Sequence, residues 1–265
     1  PPPTKLHAPP RWRPPPRPVS APVLVRQTQN ACGRSAWGFF SCQRQLDSST
    51  GEALLHTTPE KGPPITIARP YTSDLLQHGP FAFKLSPSSE VLAWLVAGPL
   101  RASLQGKRVL EVGAGLGYTG VACAAWADCA SVLVTDGDLI SVGALRRNVE
   151  LNAARFGSTV VEAAQLKYGS VVTASSAAGE GHGCGGEGRP LFDCILCADC
   201  VYDRYFHVPL LTTLKRSLHP AGQVLVVASR RKSPTSPHPV PPLPCPLPAS
   251  QVFLCSSLLT NQMLP

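Results

Sequence analysis

The stretch Arg108-Val-Leu-Glu-Val-Gly-Ala-Gly-Leu-Gly-Tyr-Thr-Gly120 decides the fold. Its first five residues, Arg108 to Val112, are of strand type. They run into three glycines spaced by single residues, Gly113, Gly115 and Gly117, and then into an alanine-rich segment reaching about Ala127. A short apolar strand, a glycine turn and a helix make one step of a parallel sheet, and the glycines let backbone approach a ligand closely. Toward the C-terminus the step recurs. Ser131 to Thr135 is a second strand, followed by a helix from about Leu139 to Ala154. Thr159 to Glu162 is a third strand and Phe192 to Ala198 a fourth. A helix over Phe206 to Leu218, closed by His219-Pro220, then leads to a fifth strand, Gln223 to Ala228. Strands alternating with helices of about 10 to 15 residues pair in parallel through right-handed crossovers. The expected architecture is a doubly wound α/β sheet.

Toward the N-terminus, Ser86-Pro87 reads as a helix cap followed by proline at the first helical position, opening a helix through Val96 that stops before Gly98-Pro99. Before it, apolar residues alternate over Ile65 to Arg69 and again over Phe81 to Leu85, with Pro70 and Gly79-Pro80 between, the pattern of a short hairpin. The ends have a different composition. Ten of the 29 prolines lie in residues 1–22 and nine in residues 233–265, so neither end can be helix or central strand. The expected organisation is a disordered Pro/Arg-rich leader over 1–22, an extension over 23–79, the main domain over 80–232 and a Pro-rich tail over 233–265. Residues 174–189 are rich in glycine and serine, show no periodicity and read as a surface loop.

Several function classes fall away on composition. The longest apolar run, Val91 to Leu100, is ten residues long and contains Pro99, against the about 18 a membrane span requires. The net charge of +8 suggests an acidic or nucleic-acid partner, but seven basic residues precede the first acid, Asp47. The remainder carries 17 basic and 16 acidic residues, so nucleic acid is not the expected partner. The basic, acid-free start leaves an organellar transit peptide open, while the compartment expected is the cytoplasm, with the nucleus second. Ten cysteines and no apolar signal segment fit free thiols rather than a disulfide framework. Cys194, Cys197 and Cys200 have metal-like spacing, yet they lie on a strand whose alternate residues face opposite sides, and no metal site is expected.

In an open parallel sheet, ligands bind beyond the carboxyl ends of the strands, beside the switch in strand order. Three features meet there. The first is the glycine turn after Glu111. The second is Asp136, which ends strand two as Thr-Asp-Gly, 19 residues past Gly117, placed to accept hydrogen bonds from ribose hydroxyls. The alternative for Asp136 is that it caps the following helix. The turn and acid point to an adenosine-containing cofactor without separating a dinucleotide from S-adenosyl-L-methionine, since Gly115 to Gly120 also satisfies G-x-G-x-x-G. Glu111 favours the latter, because it would repel a pyrophosphate and attract a cationic aminoacyl group. The third feature, Ala198-Asp199-Cys-Val-Tyr202-Asp203, puts a carboxylate and a phenol at the same sheet edge.

These runs, V-L-E-V-G-A-G-L-G, T-D-G and F-D-C-I-L-C-A-D-C-V-Y, resemble the seven-strand S-adenosylmethionine-dependent methyltransferases of the non-histone protein-lysine group, marked by an acidic residue three before a tyrosine after strand four. Within that group Thr135-Asp-Gly137, Cys197-Ala-Asp-Cys200 and Leu218-His-Pro-Ala-Gly222 are most similar to the calmodulin-lysine methyltransferases, and the resemblance spans about residues 80–232. It implies a Rossmann-like fold, S-adenosyl-L-methionine as cofactor, and a protein substrate, with calmodulin as the best choice. It further implies that Glu111, Gly113, Ala114, Gly115 and Gly117 line the methionine part of the cofactor and that Asp136 holds its ribose. Tyr168 would stand beside the adenine, with Ala198 packed on the cofactor, while Asp199 and Tyr202 would border the channel for the target lysine. Tyr168 and Tyr202 can also be read as ordinary core aromatics. Relatives carry Trp-Pro where this chain has Ser86-Pro87. They also continue after strand five with a helix and an antiparallel strand pair, where this chain passes from Arg231-Lys232 into proline-rich sequence. The sheet is therefore expected to be truncated after strand five, with V-L-V-V-A as an exposed edge that strand-like Gln251 to Cys255 is a candidate to cover. The alternatives are a methyltransferase of another protein or a small molecule, an inactive remnant of the fold, and an NAD-dependent oxidoreductase.

Overall fold

The computed structural model describes residues 40–47, 50, 52–60, 62–70, 85–172, 184–185, 189–229 and 250–255. The expected leader over 1–22, residues 81–84 of the second hairpin strand, most of the 174–189 loop and the tail apart from 250–255 lie outside those residues. In chain order come β1 (Ser41–Asp47), β2 (Glu52–Thr58) and β3 (Ile65–Pro70), then helices α1 (Pro87–Ala97) and α2 (Arg101–Leu104). The central part is β4 (Arg108–Val112), α3 (Tyr118–Trp126), β5 (Ser131–Asp136), α4 (Leu139–Asn152) and β6 (Val160–Gln165). After the two-residue strands β7 (Cys184–Gly185) and β8 (Arg189–Pro190) follow β9 (Phe192–Ala198), α5 (His207–Ser217), β10 (Leu218–Ser229) and β11 (Ser250–Cys255).

The main sheet runs β11-β10-β9-β4-β5-β6, parallel throughout except for β11. The first strand of the repeat, β4, thus lies at the centre with β5 on one side and β9 on the other, and the order switches between β4 and β9. Strand alternation builds both cores. Val109, Val132, Cys194 and Leu196 face α1 and α3, while Leu110, Val112, Ile195 and Cys197 face α5 through Leu210 and Leu214. The two strands at the switch are pinned at their starts, where Asp193 accepts from the Arg108 backbone N–H at 2.9 Å and from its guanidinium at 3.1 Å, across 85 residues of sequence. Burial works to raise the Asp193 carboxyl, but these bonds and the Arg108 charge hold it below its ordinary value.

Local sequence explains the helix starts. Ser86 caps α1 by accepting from the Ser89 N–H at 3.1 Å, with Pro87 in the first turn, as its sequence indicates. The strand over Ile65 to Arg69 pairs with β2, making a three-stranded antiparallel sheet β1-β2-β3, while its expected hairpin partner Phe81 to Leu85 lies, but for Leu85, outside the described residues. At the other end β11 pairs antiparallel with β10 over Val224 to Ser229 and covers the apolar edge expected to be bare. Residues 218–222 enter β10 with a register irregularity rather than forming a separate loop, since Leu218 already pairs with Phe192.

Candidate active site

The site is assembled at the carboxyl ends of β4, β5 and β9. After β4 the backbone turns through Gly113 at φ +62° and Gly115 at φ +56°, the left-handed region where only glycine is unstrained. Two hydrogen bonds fix this turn to the end of β5. The Ala114 N–H donates to the Thr135 carbonyl at 2.9 Å, and the Gly115 N–H donates to Asp136 Oδ2 at 2.9 Å. The other carboxylate oxygen of Asp136 accepts from the Asp138 N–H at 3.0 Å. The helix cap is Asp138, whose Oδ2 accepts from the Ser141 N–H and hydroxyl, each at 2.8 Å. This disposes of the capping alternative for Asp136, which stays at the strand end.

The opposite wall begins at Ala198. Asp199 adopts φ +59°, uncommon for a residue with a side chain and concentrated at functional sites. Its N–H donates to the Val227 carbonyl at 2.7 Å, holding the turn onto β10. Cys200 ties the same turn to the centre by donating from Sγ to the Val112 carbonyl at 3.0 Å. Tyr168, in the loop after β6, lies across the glycine turn, so that a side chain at position 113 would run into its hydroxyl. Burial, with Cys200 beside it, pushes that phenol well above its ordinary pKa, and the hydroxyl remains protonated. The Tyr168 ring meets Phe206 edge-on at 6.0 Å, and Phe206 meets Tyr202 at 6.4 Å. Three aromatic rings therefore run from the glycine turn to the surface.

The resulting cleft measures about 920 Å³. Gly113, Ala114, Gly115, Asp136, Tyr168, Ala198, Asp199 and Tyr202 all line it. Two residues assigned to the cofactor by resemblance do not. Glu111 alternates with Leu110 and Val112, so it points beneath α3, where it is 1% exposed and its Oε2 accepts from the Gly120 N–H at 2.7 Å. Burial pushes its carboxyl up to about 8, against the opposing effect of the Gly120 and Thr119 hydrogen bonds. Held beneath α3 and off the cleft lining, the Glu111 carboxyl makes no surface on which a cationic aminoacyl group would rest in this structure. Gly117 serves the turn into α3, at φ +76°, with Leu145 Cδ2 at 2.6 Å from where a Cβ would stand. Residues that sequence reasoning missed include Leu85, Lys167, Tyr205, Phe206 and Pro209. Lys167 adjoins Tyr168, and Tyr205-Phe206 follows the acidic-Tyr motif by three residues, so proximity in sequence was the available signal.

The cysteines divide as strand alternation requires. Cys194 packs with α1 and α3 while Cys197 and Cys200 lie in the opposite core, all buried. Burial pushes the Cys194 thiol up to about 12, and Cys200 and burial together raise that of Cys197. Such thiols are packing groups rather than nucleophiles.

Residues 87–237, more than half of the chain, match the model of the lysine methyltransferase family. Calmodulin-lysine N-methyltransferase of Arabidopsis thaliana is 34% identical over 133 residues, 50% of this chain and 39% of that protein. Protein-lysine N-methyltransferase EFM3 of Chaetomium thermophilum is 32% identical over 131 residues, 49% of this chain and 37% of that protein. The chain thus spans less than half the length of these curated relatives. Among solved structures, the T. thermophilus 16S rRNA N2 G1207 methyltransferase is similar at 18% identity and a TM-score of 0.39, over 74% of this chain and 43% of that one. The doubly wound sheet, with its glycine turn and the acid ending its second strand, is the framework of the matched region, and the chain belongs to the lysine methyltransferase family.

Proposed function

We propose that the chain transfers a methyl group from S-adenosyl-L-methionine to a lysine of a protein, and that calmodulin is its substrate. The observation that carries this reading is the meeting of the glycine turn, Asp136, Asp199 and Tyr202 on one cleft. The choice of calmodulin is supported by similarity to a plant enzyme of that name. The cleft residues fit the cofactor: the turn lines the cleft with backbone at Gly113 and Gly115, Tyr168 lies beside it, and Asp136 presents acceptor oxygens at the end of β5. When bound, the cofactor supplies an electrophilic methyl group on a sulfonium. Gly113, Ala114 and Gly115 would hold its methionine part, Asp136 its ribose, and Tyr168 and Ala198 its adenine side.

What remains is to align an amine and keep it neutral, since displacement at a methyl group needs geometry more than a dedicated acid or base. A lysine begins near pKa 10.4. The Asp199 carboxylate draws its ammonium toward the cleft, and partial desolvation among Tyr202, Tyr205 and Phe206 lowers the cost of losing the proton. The faces of those rings also attract the cation.

Calorimetric titration with S-adenosylhomocysteine, with NAD as control, tests the cofactor half of the proposal. Saturable binding of the former alone is expected, followed by methyl transfer to calmodulin. Asp199→Ala or Tyr202→Ala should lower transfer tenfold or more while S-adenosylhomocysteine affinity holds within about twofold. No binding by a folded protein, or binding of NAD instead, would overturn the reading. Similarity to a second protein-lysine methyltransferase favours another protein target as the alternative, which transfer to lysate proteins but not to calmodulin would reveal. We also propose the cytoplasm as the compartment, supported by cysteines that serve as buried packing groups, such as Cys194 and Cys197 in opposite cores, and checked by imaging the tagged chain.

A further inference from the structure

We propose that the exposed stripe Tyr205, Val208, Leu211 and Lys215 on and just before helix α5 is the docking surface for the protein substrate, and that it fits a partner whose acidic side chains surround an apolar pocket. The proposal rests on the reading of the cleft as a methyltransferase site for proteins. Spacings of three, three and four residues put these side chains on one helical face. The opposite face is committed to the sheet through buried Leu210 and Leu214. Tyr205 is 74% exposed, Val208 73% and Leu211 47%, an apolar outcrop that a solvent-facing helix has no packing reason to carry.

Two observations identify the occupant. The stripe is continuous with the cleft, because Tyr205 belongs to both and Phe206 beside it contacts Tyr202 and Tyr168. Whatever covers it must also deliver a side chain into the cleft. The charges are graded along it as well. Four acids, Asp136, Asp138, Asp199 and Asp203, lie at the cleft end against two cations, Lys167 and Arg204, the latter 5.3 Å from the Tyr205 ring centre, so that end is acidic on balance. Asp203 also accepts from the Tyr205 N–H at 2.9 Å. Helix α5 itself contains no acid, and its far end carries Lys215 and Arg216, which meet no carboxylate among the described residues. A partner matching this gradient presents its lysine at one end and acidic groups roughly 15 Å away, with apolar surface between, given a rise of about 1.5 Å per residue from Tyr205 to Lys215. Basic amphipathic helices of this kind lie in apolar grooves with acidic rims. An apolar stripe on a helix anchored to a sheet is too narrow to sink into a bilayer, which disfavours a lipid surface.

The test uses the full 265-residue chain and calcium-loaded calmodulin as the probe, chosen because its open groove is lined by methionine. Fluorescence anisotropy of labelled calmodulin is followed for the unaltered chain, for Val208→Glu/Leu211→Glu and for Lys215→Glu/Arg216→Glu, at low and at moderate salt. Calorimetry with S-adenosylhomocysteine is run on each in parallel. The expected result is at least tenfold weaker calmodulin binding by the first variant and several-fold weaker, less salt-dependent binding by the second, with S-adenosylhomocysteine affinity unchanged in both. The charge variant leaves every apolar contact in place, so it keeps the test decisive if the first variant folds poorly. Equal calmodulin binding by all three proteins would overturn the docking surface alone. So would no calmodulin binding by a chain that binds S-adenosylhomocysteine, a dimer in sedimentation velocity that Val208→Glu/Leu211→Glu dissolves, or retention on phosphatidylserine vesicles without calmodulin binding. An unaltered chain that fails to bind S-adenosylhomocysteine would overturn the methyltransferase reading and this one with it.

Discussion

Glu111 holds its carboxyl group beneath α3, and burial raises its pKa from an ordinary 4.5 to about 8. Below pH 4.5 the group is neutral in both the folded and the unfolded chain. Between that value and about 8 the unfolded chain loses the proton while the folded one keeps it, so the folded state binds more protons and stability falls as pH rises. Each unit of separation is worth about 1.4 kcal/mol, so the decline amounts to roughly a few kcal/mol. Glu111→Gln keeps an acceptor for the Gly120 N–H but cannot ionise. We expect denaturant midpoints of the native chain to fall from pH 5 to pH 8 relative to those of Glu111→Gln, and parallel pH curves would show that the carboxyl does not titrate in this way. The sequence position of Glu111, two before the first glycine, invited a ligand-binding role. What decides against it is strand alternation combined with the depth of α3, and only the packed structure supplies the second of these.

Just before helix α4, two acids two residues apart have separate tasks. Asp138 caps the helix through Ser141, and Asp136 holds the glycine turn through Gly115. Asp138→Ala should cost about 1 kcal/mol of stability by chemical denaturation, with little change in S-adenosylhomocysteine affinity. Asp136→Ala should do the converse and weaken that affinity several-fold or more, and equal effects of the two substitutions on both readouts would contradict this division. The five parallel strands and the helices between them were readable from the chain, because each is an apolar run bounded by glycine, proline or a capping residue. The pairing of β3 was not. Ile65 to Arg69 alternates equally well against either neighbour, and periodicity says nothing about which strand is opposite. For the same reason Gln251 to Cys255 could be recognised as a strand while its place beside β10 could not. Of the cleft, the motif residues at the strand ends were readable. Tyr205 and Phe206 were not, since they come from the start of a helix whose pattern recorded only its buried face.

The N-terminal sheet is bound to the main domain by two buried asparagines on α4. Asn148 accepts from the Ala68 N–H at 2.7 Å and donates to the carbonyls of Ala68 and Leu116, at 3.2 and 2.8 Å. One helical turn on, Asn152 accepts from the Thr66 N–H at 2.8 Å and donates to its carbonyl at 2.6 Å. The two amides satisfy the free edge of β3 as a neighbouring strand would. Trp126 adds a bond from Nε1 to the Pro63 carbonyl at 2.8 Å. Asn148→Ala leaves the buried amide of Ala68 unpaired and should destabilise the protein by roughly 2–4 kcal/mol. Hydrogen exchange at Ala68 should quicken more than that in β4 or β9, and uniform quickening would mean that the two sheets open as one unit. The bond between Arg108 and Asp193 has a consequence for the order in which the protein is made. At about 5–20 residues per second, roughly 4–17 s separate the synthesis of these two residues. Throughout that interval β4 has a partner on one side only, and the wall that Asp199 and Tyr202 build does not exist. The nascent chain therefore carries an open apolar strand edge while the ribosome is still at work, a natural target for chaperones. It acquires a cofactor cleft only when its second half arrives.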